Sequence, residues 1–382
     1  FGEVEAVFPI WAAVLLLAIG LLDGREKAIH YSEQLNFKDP IFVFVIMVIA
    51  ATRPIHHFAL RCIDALAKMI FRLGIMPRAT AVYLTSLALG PLMGSFITEP
   101  AAMTIIAWVL RDRFYEYPVS ERFKYLTLAV LFVNVSIGGV LTPYAAPPVL
   151  MVASKWGWGF QEMLYLFGWK AALAVLINAG LATLILRKEL GSLKAPLHSA
   201  DRETPPNWVV GLHLAMLALI VWNHDHPVFF TGLFLIFLAL FNITRRHHED
   251  LKLRESLLVA AFLGGLVVLG NLQDWWIEPL IRELDSLKLF LGTTALTAIT
   301  DNAALTYLGS QVEGLSSSSQ YALLAGAVAG GGLTVIANAP NPAGFSILQT
   351  RFGERGIQPA LLLSFAIVPT LIAVASFWVF AP

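Results

Sequence analysis

Long apolar segments, separated by short polar loops, follow one another along the whole chain. Segments such as "FFTGLFLIFLALF" (229–241) and "PALLLSFAIVPTLIAVASFWVF" (359–380) approach the roughly 20 residues that an α-helix needs to cross a bilayer. The pattern predicts an all-α polytopic membrane protein. The predicted spans are 8–22, 125–154, 161–186, 207–222, 228–242, 256–270, 320–350 and 357–380, with a shorter candidate at 41–51.

Four further segments are predicted not to cross the membrane. Residues 56–74 and 274–287 mix charged and apolar residues, so we expect both to lie along the membrane surface. Residues 79–111 and 288–309 are interrupted by polar residues, at "SFITEPAA" and "AITDNAA". Each half is expected to be too short to cross at about 1.5 Å per residue. Both segments are therefore predicted to form re-entrant helical hairpins with tips near the middle of the membrane.

The two interrupted segments belong to an internal repeat. "SFITEPAAMTI" (95–105) and "TAITDNAALTY" (297–307) share five identities in eleven, and "GGVLTPYAAPP" (138–148) and "GGGLTVIANAP" (330–340) share six in eleven. The order of the segments is the same in both halves, and an unpaired span between them would invert the second half. We predict two inverted-topology repeats, 1–190 and 227–382, joined by a linker with an extra transmembrane helix, 191–226.

Glycine and proline residues predict that one span in each repeat is a broken helix. Because glycine and proline disfavour helix, a continuous helix is improbable in the spans 125–154 and 320–350. The residues are Gly138, Gly139, Pro143, Pro147 and Pro148 in the first span, and Gly330, Gly331, Gly332, Pro340 and Pro342 in the second. Unwound backbone in a membrane is tolerated where protein or a water-filled cavity surrounds it. Two hairpin tips facing two broken helices would therefore form a central polar site.

Composition and charge agree with the membrane prediction and add an orientation. The 382 residues are 57% hydrophobic and 14% charged, with a mean hydropathy of +0.71 and a formal net charge of zero, so no nucleic-acid partner is expected. A single cysteine excludes an intrachain disulfide framework. If the first span starts inside, 19 of the 26 Lys and Arg residues lie in inside loops and six in outside loops. This distribution predicts a cytoplasmic N-terminus and an external C-terminus. Because the chain starts at Phe1, we expect residues upstream of it.

Two carboxylates carry the candidate chemistry. Glu99 and Asp301 lie at the predicted hairpin tips, where an unpaired charge costs at least ~2.5 kcal/mol and marks a functional site by default. Oxygen ligands suit a hard ion such as Na⁺. The predicted Na⁺ ligands are Thr98, Glu99, Thr300, Asp301 and Asn302. Protonation and Na⁺ binding would compete at such a carboxylate, which is sufficient for antiport if the site opens alternately to both sides. Asn338 and Asn341 in the second break are further candidates, as ion ligands or as packing residues.

The motifs resemble those of the ion transporter superfamily, which includes divalent anion/sodium symporters, arsenite permeases and NhaD-type sodium/proton antiporters. "GGVLTPYAAPP" is similar to its broken-helix motif, and "LTAITDNAALT" to the hairpin motif of its arsenite-permease and antiporter branches. The resemblance implies a homodimer with an elevator-like motion. It also adds Ser95, Thr142 and Thr334 to the candidate site. The carboxylate-transporting branch has a Ser-Asn-Thr type of tip, whereas the tips here read Thr-Glu-Pro and Thr-Asp-Asn.

The sequence therefore predicts a secondary sodium/proton antiporter in the bacterial inner membrane, with Na⁺ and H⁺ as transported ions and no cofactor. The first alternative is a sodium- or proton-coupled anion transporter, for arsenite or a carboxylate. An intramembrane enzyme is less favoured, because the sequence has no His-Glu-x-x-His, Gly-x-Ser-x-Gly or Gly-x-Gly-Asp motif.

Overall fold

The computed structural model describes residues 2–193, 204–247 and 249–382. These residues form helices and no strand, which confirms the predicted all-helical class. The helices before the gap are α1 Gly2–Leu22, α2 Arg25–Gln34, α3 Lys38–Ala50, α4 Arg53–Arg72, α5 Arg78–Ile97, α6 Glu99–Leu110, α7 Glu121–Gly138, α8 Pro147–Ala153, α9 Phe160–Met163, α10 Trp169–Ile185 and α11 Arg187–Ser192. Those after it are α12 Asn207–Trp222, α13 Pro227–Ile243, α14 Leu253–Gly270, α15 Asp274–Arg282, α16 Ser286–Thr297, α17 Asn302–Ser310, α18 Ser317–Gly330, α19 Asn341–Leu348 and α20 Pro359–Val379. Residues 194–203 of the predicted linker lie outside the described residues.

Several helices have the length and composition of membrane spans. In the part of the chain that the structure describes, these are Arg78–Ile97, Phe160–Ile185, Leu253–Gly270 and Pro359–Val379. Three apolar helices are shorter, namely Ala6–Leu22, Asn207–Trp222 and Pro227–Ile243. The helices α3 and α4 would make a fifth span together, but the chain bends by 69° between them.

In the first interrupted segment, 79–111, the two helices differ from the lengths predicted for its halves. The interruption is the single residue Thr98, which leaves 20 residues for α5 and 12 for α6. At 1.5 Å per residue, α5 is about 30 Å long, which is enough to cross a bilayer. The expectation that both halves are too short is therefore wrong for α5. In the second segment α16 has 12 residues and α17 has nine.

The segments 125–154 and 320–350 each contain a stretch without regular helix. The first stretch, 139–146, separates α7 from α8, and the second, 331–340, separates α18 from α19. Prolines begin or precede the helices that follow: Pro147 is the first residue of α8, and Pro340 directly precedes α19. A proline suits a helix start because the first backbone N–H groups of a helix have no partner within it.

Buried asparagines join the helices around these stretches. The side-chain amide of Asn134 in α7 donates to the backbone carbonyls of Leu87 in α5, at 2.8 Å, and Val175 in α10, at 3.2 Å. Asn178 in α10 donates to Asn134 Oδ1 at 3.0 Å and to the carbonyl of Pro369 in α20 at 3.2 Å. Asn134 and Asn178 therefore hold α5, α7, α10 and α20 together.

Candidate functional site

The tip between α5 and α6 is a single residue, Thr98, in an unusual backbone conformation. Its φ is +76° and its ψ is +148°, and it is the one non-glycine residue with a positive φ among those that the structure describes. Such a conformation costs of order 1–3 kcal/mol and persists only where the surrounding structure enforces it. The Thr98 hydroxyl is buried and has no hydrogen-bond partner among the described residues. A strained and unsatisfied residue at this position marks a candidate functional site.

Hydrogen bonds tie the end of α5 to the break after α7. Ser95 Oγ donates to the carbonyl of Gly138 at 2.7 Å and accepts from the N–H of Leu141 at 2.9 Å. Thr142 Oγ1 donates to the carbonyl of Ser95 at 2.6 Å. The Ser95 hydroxyl satisfies backbone groups at the break, and the Thr142 hydroxyl satisfies a carbonyl in the last turn of α5, where helical partners are missing. Ser95 and Thr142 therefore hold the first tip in place.

Glu99 follows this tip as the first residue of α6, and its side chain is fully buried. Its Oε2 accepts a hydrogen bond of 3.1 Å from Asn338 Nδ2, which belongs to the second break. Its Oε1 has no partner among the described residues. The N-terminal end of α6 carries a partial positive charge, which favours an anion at this position. The carboxylate thus joins the two halves of the chain and keeps one oxygen available.

The second tip, residues 298–301, is longer and uses its carboxylate differently. Asp301 is half-buried and precedes α17. Its Oδ1 accepts from the N–H groups of Ala303, at 2.8 Å, and Ala304, at 3.1 Å, which is the geometry of a helix N-cap. The next residue, Asn302, is fully buried, and neither polar atom of its amide has a partner among the described residues.

Corresponding backbone contacts show which residues of the two tips are equivalent. The N–H of Glu99 points to the carbonyl of Ala145 at 3.5 Å, and the N–H of Asn302 donates to that of Ala337 at 3.0 Å. Thr142 bonds the carbonyl of Ser95, and Thr334 bonds that of Ala298 at 2.8 Å. In both pairs of contacts, the residue number in the second break exceeds that in the first break by 192. The residue number in the second tip exceeds that in the first tip by 203.

This offset corrects the pairing inferred from the sequence. An offset of 202, which gives the most identities, aligns Glu99 with Asp301. By contacts, Asn302 occupies the place of Glu99, and Asp301 occupies that of Thr98. The second tip has the room for the extra residue, because four residues link α16 to α17 whereas one links α5 to α6. The first tip therefore carries a carboxylate at the position where the second tip carries a carboxamide.

Glycines let the two breaks approach these side chains closely. A Cβ atom on Gly139 would lie 2.5 Å from Cγ and 2.8 Å from Cδ of Glu99. A Cβ atom on Gly331 would lie 2.8 Å from Nδ2 of Asn302 and would also collide with Ser136. Carbon atoms normally pack at about 3.5–4.0 Å, so both positions require glycine as the structure stands. The sequence identifies these glycines as helix breakers but does not reveal which side chains they admit.

Asn338 and Asn341 complete the buried polar groups. Asn341 Nδ2 donates to the carbonyls of Gly331 and Thr334, each at 2.8 Å. The Oδ1 atoms of Asn338 and Asn341 are both buried without a partner among the described residues. Buried oxygens are nearly always satisfied by a donor, a water molecule or an ion, so these two atoms are candidate ligands.

The predicted site residues therefore separate into two groups. Those with a buried side-chain oxygen that lacks a partner in the described structure are Thr98, Glu99, Asn302, Asn338 and Asn341. Those whose side chains bond the backbone at the tips are Ser95, Thr142, Asp301 and Thr334. Thr300 is half-buried in the second tip.

Ser136 is a residue of this region that the sequence does not single out. It lies in α7, is fully buried, and donates from Oγ to the carbonyl of Val328 in α18 at 2.7 Å. This contact joins the two broken segments next to Gly331. The only feature of the sequence that could have indicated Ser136 as a residue of the site is its position three residues before Gly139.

Apolar helices around buried carboxylate, amide and hydroxyl groups are the arrangement expected of a membrane transporter. Residues 1–380 match the sequence profile of a family described as "Putative Na+/H+ antiporter", and the chain belongs to this family. It is therefore an integral membrane protein and a transporter rather than an enzyme. No curated protein matches the chain.

Proposed function

We propose that this protein exchanges Na⁺ for H⁺ at the carboxylate of Glu99. The observation that carries the proposal is the state of this side chain: it is fully buried, it has one hydrogen bond from Asn338, and Oε1 has no partner among the described residues. In the membrane such a group is favourable only when it is protonated or paired with a cation. Competition between the two states couples cation movement to proton movement.

The proposed ion ligands come from both halves of the chain. Oxygen atoms of Thr98, Asn302, Asn338 and Asn341 surround the breaks and are unsatisfied in the described structure. Hydroxyl, amide and carboxylate oxygens are the ligands that hard cations prefer. Thr300 and Asp301 stay in the proposed site, with Asp301 holding the start of α17 and adding negative charge beside it.

We propose that the site opens alternately to the two sides by an elevator-like motion of inverted repeats. Three features support this architecture. The helices follow the same order in both halves, the contacts of the tips correspond at fixed offsets, and the first tip bonds to the first break as the second tip does to the second. In this proposal α5–α6 and α16–α17 are the re-entrant hairpins. A homodimer in the bacterial inner membrane, within the NhaD-like and arsenite-permease-like branch, completes the proposal.

The test is cation-driven proton movement in vesicles that contain the purified protein. An imposed pH gradient, followed with an internal pH dye, should collapse when Na⁺ or Li⁺ is added to the wild type. Glu99→Gln keeps the size and the hydrogen-bonding ability of the side chain but removes its charge, so the collapse should be lost. K⁺ and Ca²⁺ serve as comparison ions. A wild type that responds to no monovalent cation would overturn the proposal, as would full activity of Glu99→Gln.

A further inference from the structure

The helix α4 has one buried face and turns away from the preceding apolar helix. It follows α3 at a bend of 69°, so it does not continue the direction of that helix. It packs against α5 and α12. The buried residues of this face are Pro54, Ile55, Ala59, Ile63 and Ala67. The remaining circumference of α4 is available to its surroundings.

Exposed cations form a stripe on the opposite face. Arg61, Lys68 and Arg72 are exposed, and their spacings of seven and four residues place them on one side of the helix. Arg61 Nη1 donates to Asn207 Oδ1 of α12 at 2.7 Å, a neutral partner that leaves the positive charge of Arg61 uncompensated. The stripe is about 16 Å long at 1.5 Å per residue. Asp64, the one acidic residue of α4, accepts hydrogen bonds from both Nη1 (2.5 Å) and Nη2 (3.0 Å) of Arg113. Its charge is therefore already paired and does not offset the stripe.

Large apolar side chains are exposed next to these cations, at the end of α4 and in the turn that follows. The exposed fractions are 52% for Met69, 47% for Phe71, 67% for Leu73 and 62% for Ile75. Cations beside exposed apolar side chains are typical of a helix that lies in the headgroup region, with its apolar side chains reaching the acyl chains. This combination does not suit a purely aqueous surface.

The second amphipathic helix, α15, provides a contrast within the same chain. It also exposes large apolar residues, including Trp275 at 76%. Its charged residues are Asp274, Glu278 and Arg282, and Arg282 Nε donates to Glu278 Oε1 at 2.7 Å. The single cation of α15 is thus paired with a carboxylate, whereas the cations of the α4 stripe have no carboxylate partner in the described structure, so the basic surface is a property of α4.

We propose that the stripe of Arg61, Lys68 and Arg72 binds the headgroups of acidic phospholipids, while Met69, Phe71, Leu73 and Ile75 insert beside them. Charge complementarity carries the proposal, because each exposed Lys or Arg near an acidic leaflet gains free energy that a zwitterionic leaflet does not provide. The pair between Asp64 and Arg113 then connects this lipid contact to the segment that follows α6. The proposal does not depend on which ion the protein transports.

The test uses the purified full chain in detergent and follows its thermal unfolding. Dioctanoyl-phosphatidylglycerol should raise the unfolding temperature, because a ligand that binds the folded state stabilises it. Dioctanoyl-phosphatidylcholine and inorganic phosphate at equal concentration should not. The variant Arg61→Gln/Lys68→Gln/Arg72→Gln should bind the acidic lipid about a hundredfold more weakly, from three lost headgroup contacts. The matched control Arg245→Gln/Arg246→Gln/Lys252→Gln removes three cations elsewhere and should keep the full response.

Three results would overturn the proposal. One is an unchanged response of the α4 variant, and another is a response to inorganic phosphate equal to that of the acidic lipid. The third uses the wild type alone and does not depend on how the variants fold: raising the salt concentration should weaken the stabilisation by acidic lipid. Stabilisation that is independent of salt would show that the headgroup charge is not recognised.

Discussion

Gly139→Ala tests whether the close contact between the first break and Glu99 matters for transport. The added Cβ would lie 2.5 Å from Cγ and 2.8 Å from Cδ of Glu99. Because carbon atoms pack at about 3.5–4.0 Å, the carboxylate would have to withdraw by roughly 1 Å. That movement would break its 3.1 Å hydrogen bond from Asn338. Overpacking of this kind costs about 1–3 kcal/mol.

If this strain falls on the cation-bound state, the Na⁺ affinity should fall by roughly 5- to 150-fold. The assay is the Na⁺ concentration that half-collapses an imposed pH gradient in vesicles containing the variant. Gly292→Ala is the matched control, since nothing lies within 4 Å of its added Cβ, and it should behave as the wild type. Thermal unfolding of both variants establishes that they are folded. An unchanged Na⁺ requirement in folded Gly139→Ala would refute the reasoning.

Substitutions at three further positions address the two tips and one surface pair. Thr98→Gly should raise the unfolding temperature, because glycine removes a strain of about 1–3 kcal/mol. The missing hydroxyl should at the same time raise the Na⁺ concentration that transport requires. An unfolding temperature below that of the wild type would contradict the assignment of strain to Thr98. Asp301→Asn should keep the N-cap of α17 and retain part of the Na⁺/H⁺ exchange. Asp301→Ala should lose the cap and about 1 kcal/mol of stability. Equal stability of the two variants would exclude the capping role. Lys38 Nζ donates to Asp225 Oδ1 at 3.0 Å and thereby holds the pKa of Asp225 below its ordinary value. A lowered pKa stabilises the fold above about pH 4, and that stabilisation is lost as the pH falls further. At neutral pH the wild type should be more stable than Asp225→Asn by at most ~1 kcal/mol, and the unfolding temperatures of the two should converge in acid.

The helical architecture is readable from the sequence because apolar length and helix-breaking residues are local properties. The stretches without regular helix, 139–146 and 331–340, fall within the segments where glycine and proline cluster. The helix α2 is different: Arg25–Gln34 has mostly polar residues and none of them is buried, so a pattern of apolar positions does not indicate it.

The candidate site is only partly readable, because identity of residues does not fix their register in space. The motif "TEPAA" aligns best with "TDNAA", and that alignment pairs two carboxylates. The contacts instead make Asn302 the equivalent of Glu99, since the second tip contains more residues than the first. Which hydroxyls bond backbone also depends on distant carbonyls, as for Ser95 and Gly138, which are 43 residues apart.

The most direct test of the account is whether Na⁺ displaces a proton from Glu99. Purified protein in weakly buffered detergent solution is mixed with Na⁺ over a range of starting pH values, and the released protons are counted with a pH electrode. The wild type should release protons and Glu99→Gln should release none, with an inert organic cation as the blank. Na⁺ binding without proton release, or equal release from Glu99→Gln, would contradict it.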